Sequence, residues 1–193
     1  MKVNLNQMAS EVFGSGKRFF LNIINDYASR KFQKAKLALI QDVATHPVSI
    51  EINGGIDAAN ISHTLSGRKG NLFSFLGFRA GTKPVDDLLF LINQTVKFIP
   101  ATKISVFGLS EVNFTYPSRG DFLQLPLPWE PGRSWVTAIE DGVSNLSYYI
   151  FKESESSRSG RGIQIDNVVR PIGFSLTPYM SPILEKFKLA LNG

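Results

Sequence analysis

Cysteine is absent from the 193 residues, which removes disulfides, thiolate metal sites and cysteine nucleophiles together. A reducing compartment is therefore allowed. Histidine is nearly as scarce: His46 and His63 are the two in the chain, and neither has a partner at the spacing that sets two ligands on one helix face. Neither a metal nor another cofactor is expected. No apolar run approaches the roughly 20 residues that span a bilayer, and residues 1–20 lack the continuous apolar stretch of a signal peptide. The expectation is a chain made and used in the cytoplasm of the cell that makes it, with no membrane partner.

Charge is also thin. Charged residues make up 19% against 43% hydrophobic, so buried apolar surface can offset the ordering entropy and the chain reads as globular. Its length suits one domain, residues 1–193, because one hydrophobic core covers that span and two would each be small. The formal charge of +5 favours acidic partners, but a surplus of this size permits nucleic acid without indicating it. Fifteen Phe, sixteen Gly and ten Pro point to short strands and many turns around an aromatic core.

Along the chain, residues 16–43 read as a long amphipathic helix, with Phe20, Ile23, Ile24, Tyr27, Ala28, Ala35, Leu39 and Val43 near helical spacing. Its polar face carries Lys17, Arg18, Arg30, Lys31, Lys34 and Lys36. Pro47 makes His46 extended, and Val48, Ile50 and Ile52 alternate with Ser49, Glu51 and Asn53, which predicts a strand. Residues 64–81 read as a hairpin or loop feeding a buried strand through Leu72, Phe73, Phe75, Leu76 and Phe78. Pro84, Asp86 and Asp87 open a middle helix that ends before Pro100. Alternation over residues 104–116 predicts a strand bent near Gly108. Residues 124–132 hold Pro126, Pro128 and Pro131 and read as an irregular extended arm. A short helix follows at 134–142, then a strand at 146–151 and a polar projecting loop at about 152–162. Thr177 is expected to cap a last helix, with Pro178 at its first position. The fold class is α+β: a mixed or antiparallel sheet flanked by a long N-terminal helix, a middle helix and a C-terminal helix.

Motifs that carry chemistry fail on context. The run GSGKR at 14–18 has the end of a phosphate loop, but Glu11 and Arg18 stand where glycine and a hydroxyl are needed and no strand precedes it. Asp86 with Asp87 and Glu140 with Asp141 are neighbours whose directions diverge on a helix, so solubility and helix-end electrostatics explain them. Phe174 and Ser175 after Gly173 lack the second glycine of a nucleophile elbow. Arg119, Gly120 and Asp121 form an integrin-type tripeptide that is also ordinary turn chemistry. No catalytic residue is assigned.

Two features remain. Lys31 and Lys34 on the first helix, with Arg68 and Lys69 in a glycine-rich loop, are candidates to face DNA; the competing account is a solvated helix face and a loop tip. The polar loop and the proline-rich arm are candidates to order against a neighbour, through Trp129, Trp135, Ser157, Arg158, Arg161 and Gln164.

The block from Trp135 to Gly142, the polar run Ser157 to Gln164 and the terminal Tyr179 to Phe187 segment resemble the small tail-completion and neck proteins of tailed bacteriophages. Glu140, Asp141 and Gly142 match that pattern, as do Pro171, Pro178 and Pro182, while His63 to Gly67 represents the usual threonine-glycine segment only loosely. The resemblance implies a structural virion part assembled in the host cytoplasm: a homo-oligomeric ring, hexamer or dodecamer, joining tail-tube or neck proteins, with DNA passing through it. The alternative is a nucleic-acid-binding module using the basic helix at 17–36 and the 67–70 loop.

Overall fold

The computed structural model describes residues 5–65, 70–103, 111–142 and 176–192, the first helix by its backbone alone up to residue 15. Helix α1 (Leu5–Thr45) has 41 residues, about 60 Å at 1.5 Å per residue. It leads into α2 (Pro47–Asn53), a 3-10 turn (Gly55–Asp57), α3 (Leu72–Phe75) and α4 (Pro84–Thr95). Strand β1 (Phe98–Ile99) pairs antiparallel with β2 (Asn113–Phe114), and β3 (Pro126–Leu127) pairs antiparallel with β4 (Glu130–Ser134). Helices α5 (Trp135–Asp141) and α6 (Met180–Asn192) complete the described part. The class is α+β, with six α-helices and two small antiparallel sheets among the described residues.

Residues 48–53 are helical, not a strand. His46 is extended (ψ 137°) and its Nδ1 accepts from the Val48 amide at 3.3 Å, while Pro47 takes the first helical position. The apparent alternation was misleading: Ile50 is exposed, whereas Ser49 and Glu51 are buried beside Val48 and Ile52. Residues 72–75 are likewise a helical turn and not a strand, because the Asn71 side chain accepts from the Ser74 amide at 2.9 Å.

Two buried polar groups hold this region closed. The Glu51 carboxylate accepts from the Ser62 amide at 2.8 Å and the Leu72 amide at 2.6 Å. The Asn71 amide donates to the carbonyls of Ile56 and Ala58. Together they satisfy backbone groups of a long irregular segment that would otherwise be buried without partners.

The middle helix forms as expected, its apolar side set by Val85, Leu88, Leu91 and Ile92. The chain leaves it at Val96 to enter β1. Prolines are tolerated in the β3–β4 hairpin because a two-stranded sheet has outer edges that need no donors. The arm expected at 124–132 is therefore a 3-10 turn (Asp121–Gln124) followed by this hairpin. Ser134 caps α5, as its Oγ accepts from the Val136 amide at 3.1 Å.

Thr177 does not cap α6. The Glu140 carboxylate, arriving from α5, accepts from the amides of Tyr179 and Ser181 at 3.1 and 2.7 Å and from the Ser181 hydroxyl at 2.8 Å. A side chain distant in sequence thus satisfies amides that open the last helix.

The core runs from Phe32, Leu39 and Val43 on α1 through Ile52, Leu72, Leu88 and Ile92 to Trp135, Ile139, Tyr179 and Phe187. Of the expected strand at 104–116, residues 104–110 lie outside the described residues, as do the strand at 146–151 and the loop at 152–162.

Candidate functional site

Helix α1 carries apolar residues on opposite sides. At about 100° per residue, Leu21, Asn25, Ala28, Phe32, Ala35, Leu39 and Val43 fall on one side, and Ile23 lies about 180° from Phe32. The first side is the core side: Phe32, Ala35, Leu39 and Val43 are buried. Asn25 marks how far the body reaches along it, donating to the Ala101 carbonyl at 2.9 Å and accepting from the Ala101 amide at 2.8 Å. The other side is bare. Phe19, Phe20, Ile23 and Tyr27 are 49% to 69% exposed, with the two phenylalanine rings meeting edge-on at 6.1 Å. The expectation that Phe20, Ile23 and Tyr27 share the face of Ala35 and Leu39 is thus corrected, since twelve residues from Phe20 to Phe32 leave a phase difference of about 120°.

One turn further along, the same outward side becomes basic. Arg30 pairs with Asp26, Lys34 is exposed and Lys31 half-buried. Lys36 faces inward, donating to the carbonyls of Asn93 and Val96 at 3.2 and 3.0 Å at the end of α4, where orphan carbonyls need donors. Residues 17–36 contain six basic side chains and one acidic, a surplus equal to the +5 of the whole chain.

A concave surface lies between α4 and the β3–β4 hairpin. This open groove of about 460 Å³ has Phe78, Phe90 and Leu91 on one side and Leu125, Pro126 and Pro128 on the other, with Asp87 and Gln94 as polar lining. Phe90 is 65% exposed and stands about 200° round α4 from the buried Leu88. Its out-of-phase position was the available signal that sequence reasoning passed over, and Ile23 on α1 offers the same signal.

The two tryptophans occupy different places. Trp129 is half-buried, its indole Nε1 donating to the Leu76 carbonyl at 3.1 Å. Gly77 beside it has φ +78° and would bring a Cβ to 3.0 Å from the indole, so only glycine suits that turn. Trp129 thereby ties the hairpin to α3 rather than standing free as an anchor. Trp135 is 1% exposed and packs on Phe78 and Tyr179 with ring centroids 5.9 and 6.1 Å apart. It is a core residue that closes the floor of the groove, not an interface anchor, because the Ser134 cap turns the first residue of α5 inward. Ser157, Arg158, Arg161, Gln164, Arg68 and Lys69 lie outside the described residues.

The titratable groups near the centre serve packing. The Tyr179 phenol and Ser49 hydroxyl are 2.6 Å apart and buried, and burial pushes the phenol well above its ordinary range. The His46 ring lies 4.9 Å from the Tyr179 ring, and burial holds its imidazole below the usual value. His63 is exposed, with φ 55°. Arg119 pairs with Asp141, while Asp121 accepts from the Ser118 amide and hydroxyl at 2.7 Å each. Those bonds, the hydroxyl first, lower the Asp121 carboxyl and make this tripeptide a fixed turn. Among the described residues no group of three or more His, Asp or Glu converges on a metal position, and no helix is long and apolar enough to cross a membrane. No family model, curated protein or solved structure matches this chain.

Proposed function

We propose that the chain is a self-assembling structural part of a tailed-phage virion, a tail-completion or neck protein that forms a ring at the head–tail junction and does no chemistry of its own. The observation that carries the assembly half of this reading is the bare apolar side of α1, where Phe19, Phe20, Ile23 and Tyr27 face solvent on a helix whose other side is packed. A run of large apolar side chains left out of the core marks a contact surface. The phage assignment rests on the resemblance of residues 135–142, 157–164 and 179–187.

Rings of identical copies need heterologous contacts, in which one patch meets a different patch on the next copy. The groove is one such patch. The polar segment at 152–162 is assigned further contacts in the ring, with adjoining tail-tube or neck proteins above and below. Sedimentation velocity on the full chain, alone and with purified neck proteins, tests the reading. Concentration-dependent association or template-driven ring closure supports it, and a monomer under all of these conditions sinks it. Phage lacking the chain should accumulate heads and tails that do not join.

A second reading draws on the concentration of the whole charge surplus in residues 17–36. A nucleic-acid contact through Lys31 and Lys34, together with Arg68 and Lys69, would lose affinity steeply with salt as counterions are released. Absence of a mobility shift at low salt excludes it.

A further inference from the structure

We infer that α1 pairs with α1 of a second copy, the two helices running antiparallel with their bare sides together. The pairing rests on the assembly half of the reading above and names its first contact; it does not depend on the phage assignment.

Spacing carries the pattern. From Gly16 onward, Phe20, Ile23, Tyr27, Arg30, Lys34 and Leu37 follow at alternating intervals of four and three, the heptad repeat of a coiled-coil seam. At about 100° per residue they all fall in one band about 100° wide around Ile23. The band drifts by about 20° per heptad, as a strict seven-residue repeat does on a straight helix. Phe20, Ile23, Tyr27 and Leu37 are 49% to 69% exposed, and Arg30 and Lys34 are exposed too. A helix side that only meets water carries polar residues at most such positions.

Gly16 is the independent observation. It stands inside a 41-residue helix, where glycine is among the weakest formers, and a Cβ there would meet nothing within 4 Å. Among the described residues nothing therefore crowds this position into being glycine. A second copy supplies the reason. In an antiparallel seam with Phe20 facing Ile23 of the second copy, the same register sets Tyr27 against Gly16, and two-fold symmetry repeats both layers. Large side chains then meet small ones at each end of the apolar stretch, as close packing requires. The chain is its own complement here, which is what selects a second copy as the partner.

Charge sets the direction. A parallel pair would place Arg30 on Arg30 and Lys34 on Lys34, a costly juxtaposition of like charges. The antiparallel register holds the two Arg30 residues about 25 Å apart and the two Lys34 residues about 37 Å apart, beyond the screening length of about 8 Å. Each faces position 13 or 9 of the second copy, both uncharged. Arg30 is also paired with Asp26 on its own helix. Lys17 and Arg18 project about 120° and 140° from Ile23, off the seam.

Area agrees. The core packs on the opposite side of α1, through Phe32, Ala35, Leu39 and Val43, so the two bodies lie on the outer faces of the pair. In this register the helices overlap along about 50 Å; a strip about 10 Å wide is about 500 Å² a side. The total of about 1,000 Å² reaches the lower bound of a specific interface. The contact is isologous and gives a dimer, so ring closure takes a separate, heterologous contact.

Sedimentation velocity of the full chain over a concentration series should show a monomer–dimer equilibrium. Ile23→Asp should weaken it at least about tenfold, while Phe90→Asp in the groove should leave it unchanged. Both side chains are exposed, so unchanged unfolding midpoints in dilute solution certify the fold. Gly16→Leu strengthens helix propensity, yet it should weaken the dimer by a similar factor because it fills the space that Tyr27 takes. Orientation is read with cysteine, which the chain lacks. Gly16→Cys and Tyr27→Cys chains, mixed and oxidised, should yield disulfide-linked pairs. Neither should cross-link alone, since its two thiols lie about 16 Å apart along the seam. Cross-linking of either variant alone overturns the antiparallel register. Native-like association of Ile23→Asp or Gly16→Leu, or a native dimer that no mixture cross-links, places the contact elsewhere and overturns the pairing. A chain that stays monomeric alone but closes rings on neck proteins also overturns it and keeps the assembly reading. A dimer with this register that never joins neck proteins upholds the pairing and counts against the ring.

Discussion

The two halves of α1 form one unbroken helix and are used in opposite ways. From Asn25 to Thr45 one side of it is sealed under α2, α4 and α6, and Phe32, Leu39 and Val43 are almost without solvent contact. Before Asn25 the body offers little cover on the other side, and aromatic residues stand in water. Both halves belong to one continuous helix, so the difference comes from what packs against each. A helix that is apolar on both sides along part of its length is built to serve two bodies: its own core and something else.

The largest expected effect breaks this contrast directly. Leu39→Ala should cost about 2 to 5 kcal/mol of stability through lost burial and a cavity, whereas Ile23→Ala should change it by less than about 0.5 kcal/mol, both read by urea unfolding of dilute protein. Equal costs at the two positions would mean that the outward side is covered within the chain.

Next in size is the polar seal. Tyr179→Phe leaves the buried Ser49 hydroxyl without its partner and should cost about 1 to 3 kcal/mol. Glu51→Ala orphans the Ser62 and Leu72 amides, with a loss of similar or greater size concentrated in hydrogen-exchange protection of residues 62 and 72. An Ile23→Ala chain should show no such local opening.

The smallest effect is one of pH. Burial keeps the His46 imidazole below its ordinary 6.5, so its contribution is present above that value and is lost as the pH falls through the lower folded value. Protonation also removes the Nδ1 acceptor that caps α2. From about pH 7 to about pH 5 the melting temperature should therefore fall more for the native chain than for His46→Asn, which keeps a cap acceptor and does not titrate. Parallel curves would assign the acid sensitivity to other groups. The helix face, which has no titrating group near neutrality, should show association that depends on salt more than on pH.

Legibility in the sequence varied with how local the signal was. The α+β class, α4 and α5 followed from caps and prolines: Pro84 with Asp86 and Asp87 opens one helix, and Ser134 opens the other. The helix at 47–53 was hidden because a six-residue apolar–polar alternation fits a strand, and what turns it into a helix is a histidine side chain acting as a cap. Trp135 was misplaced for a related reason: its size suited an anchor, but Ser134 directs it into the core. Of the candidate surface, the long basic helix was visible, while its outward phase and the groove were not. Phe90 and Ile23 mattered only once the buried sides of α4 and α1 were known.

By itself the sequence determined what depends on neighbours within a turn or two: where α4 and α5 begin, that disulfide and thiolate chemistry is absent, and that the excess charge lies in one helix. Tertiary structure alone decided which side of α1 meets the core, that Glu140 caps a helix some forty residues later, and that a proline-rich hairpin faces α4 across an open groove. Local preferences act over a few angstroms along the chain. Burial depends on which distant segments arrive, and a helix with two apolar sides does not state in its own residues which one the core will take.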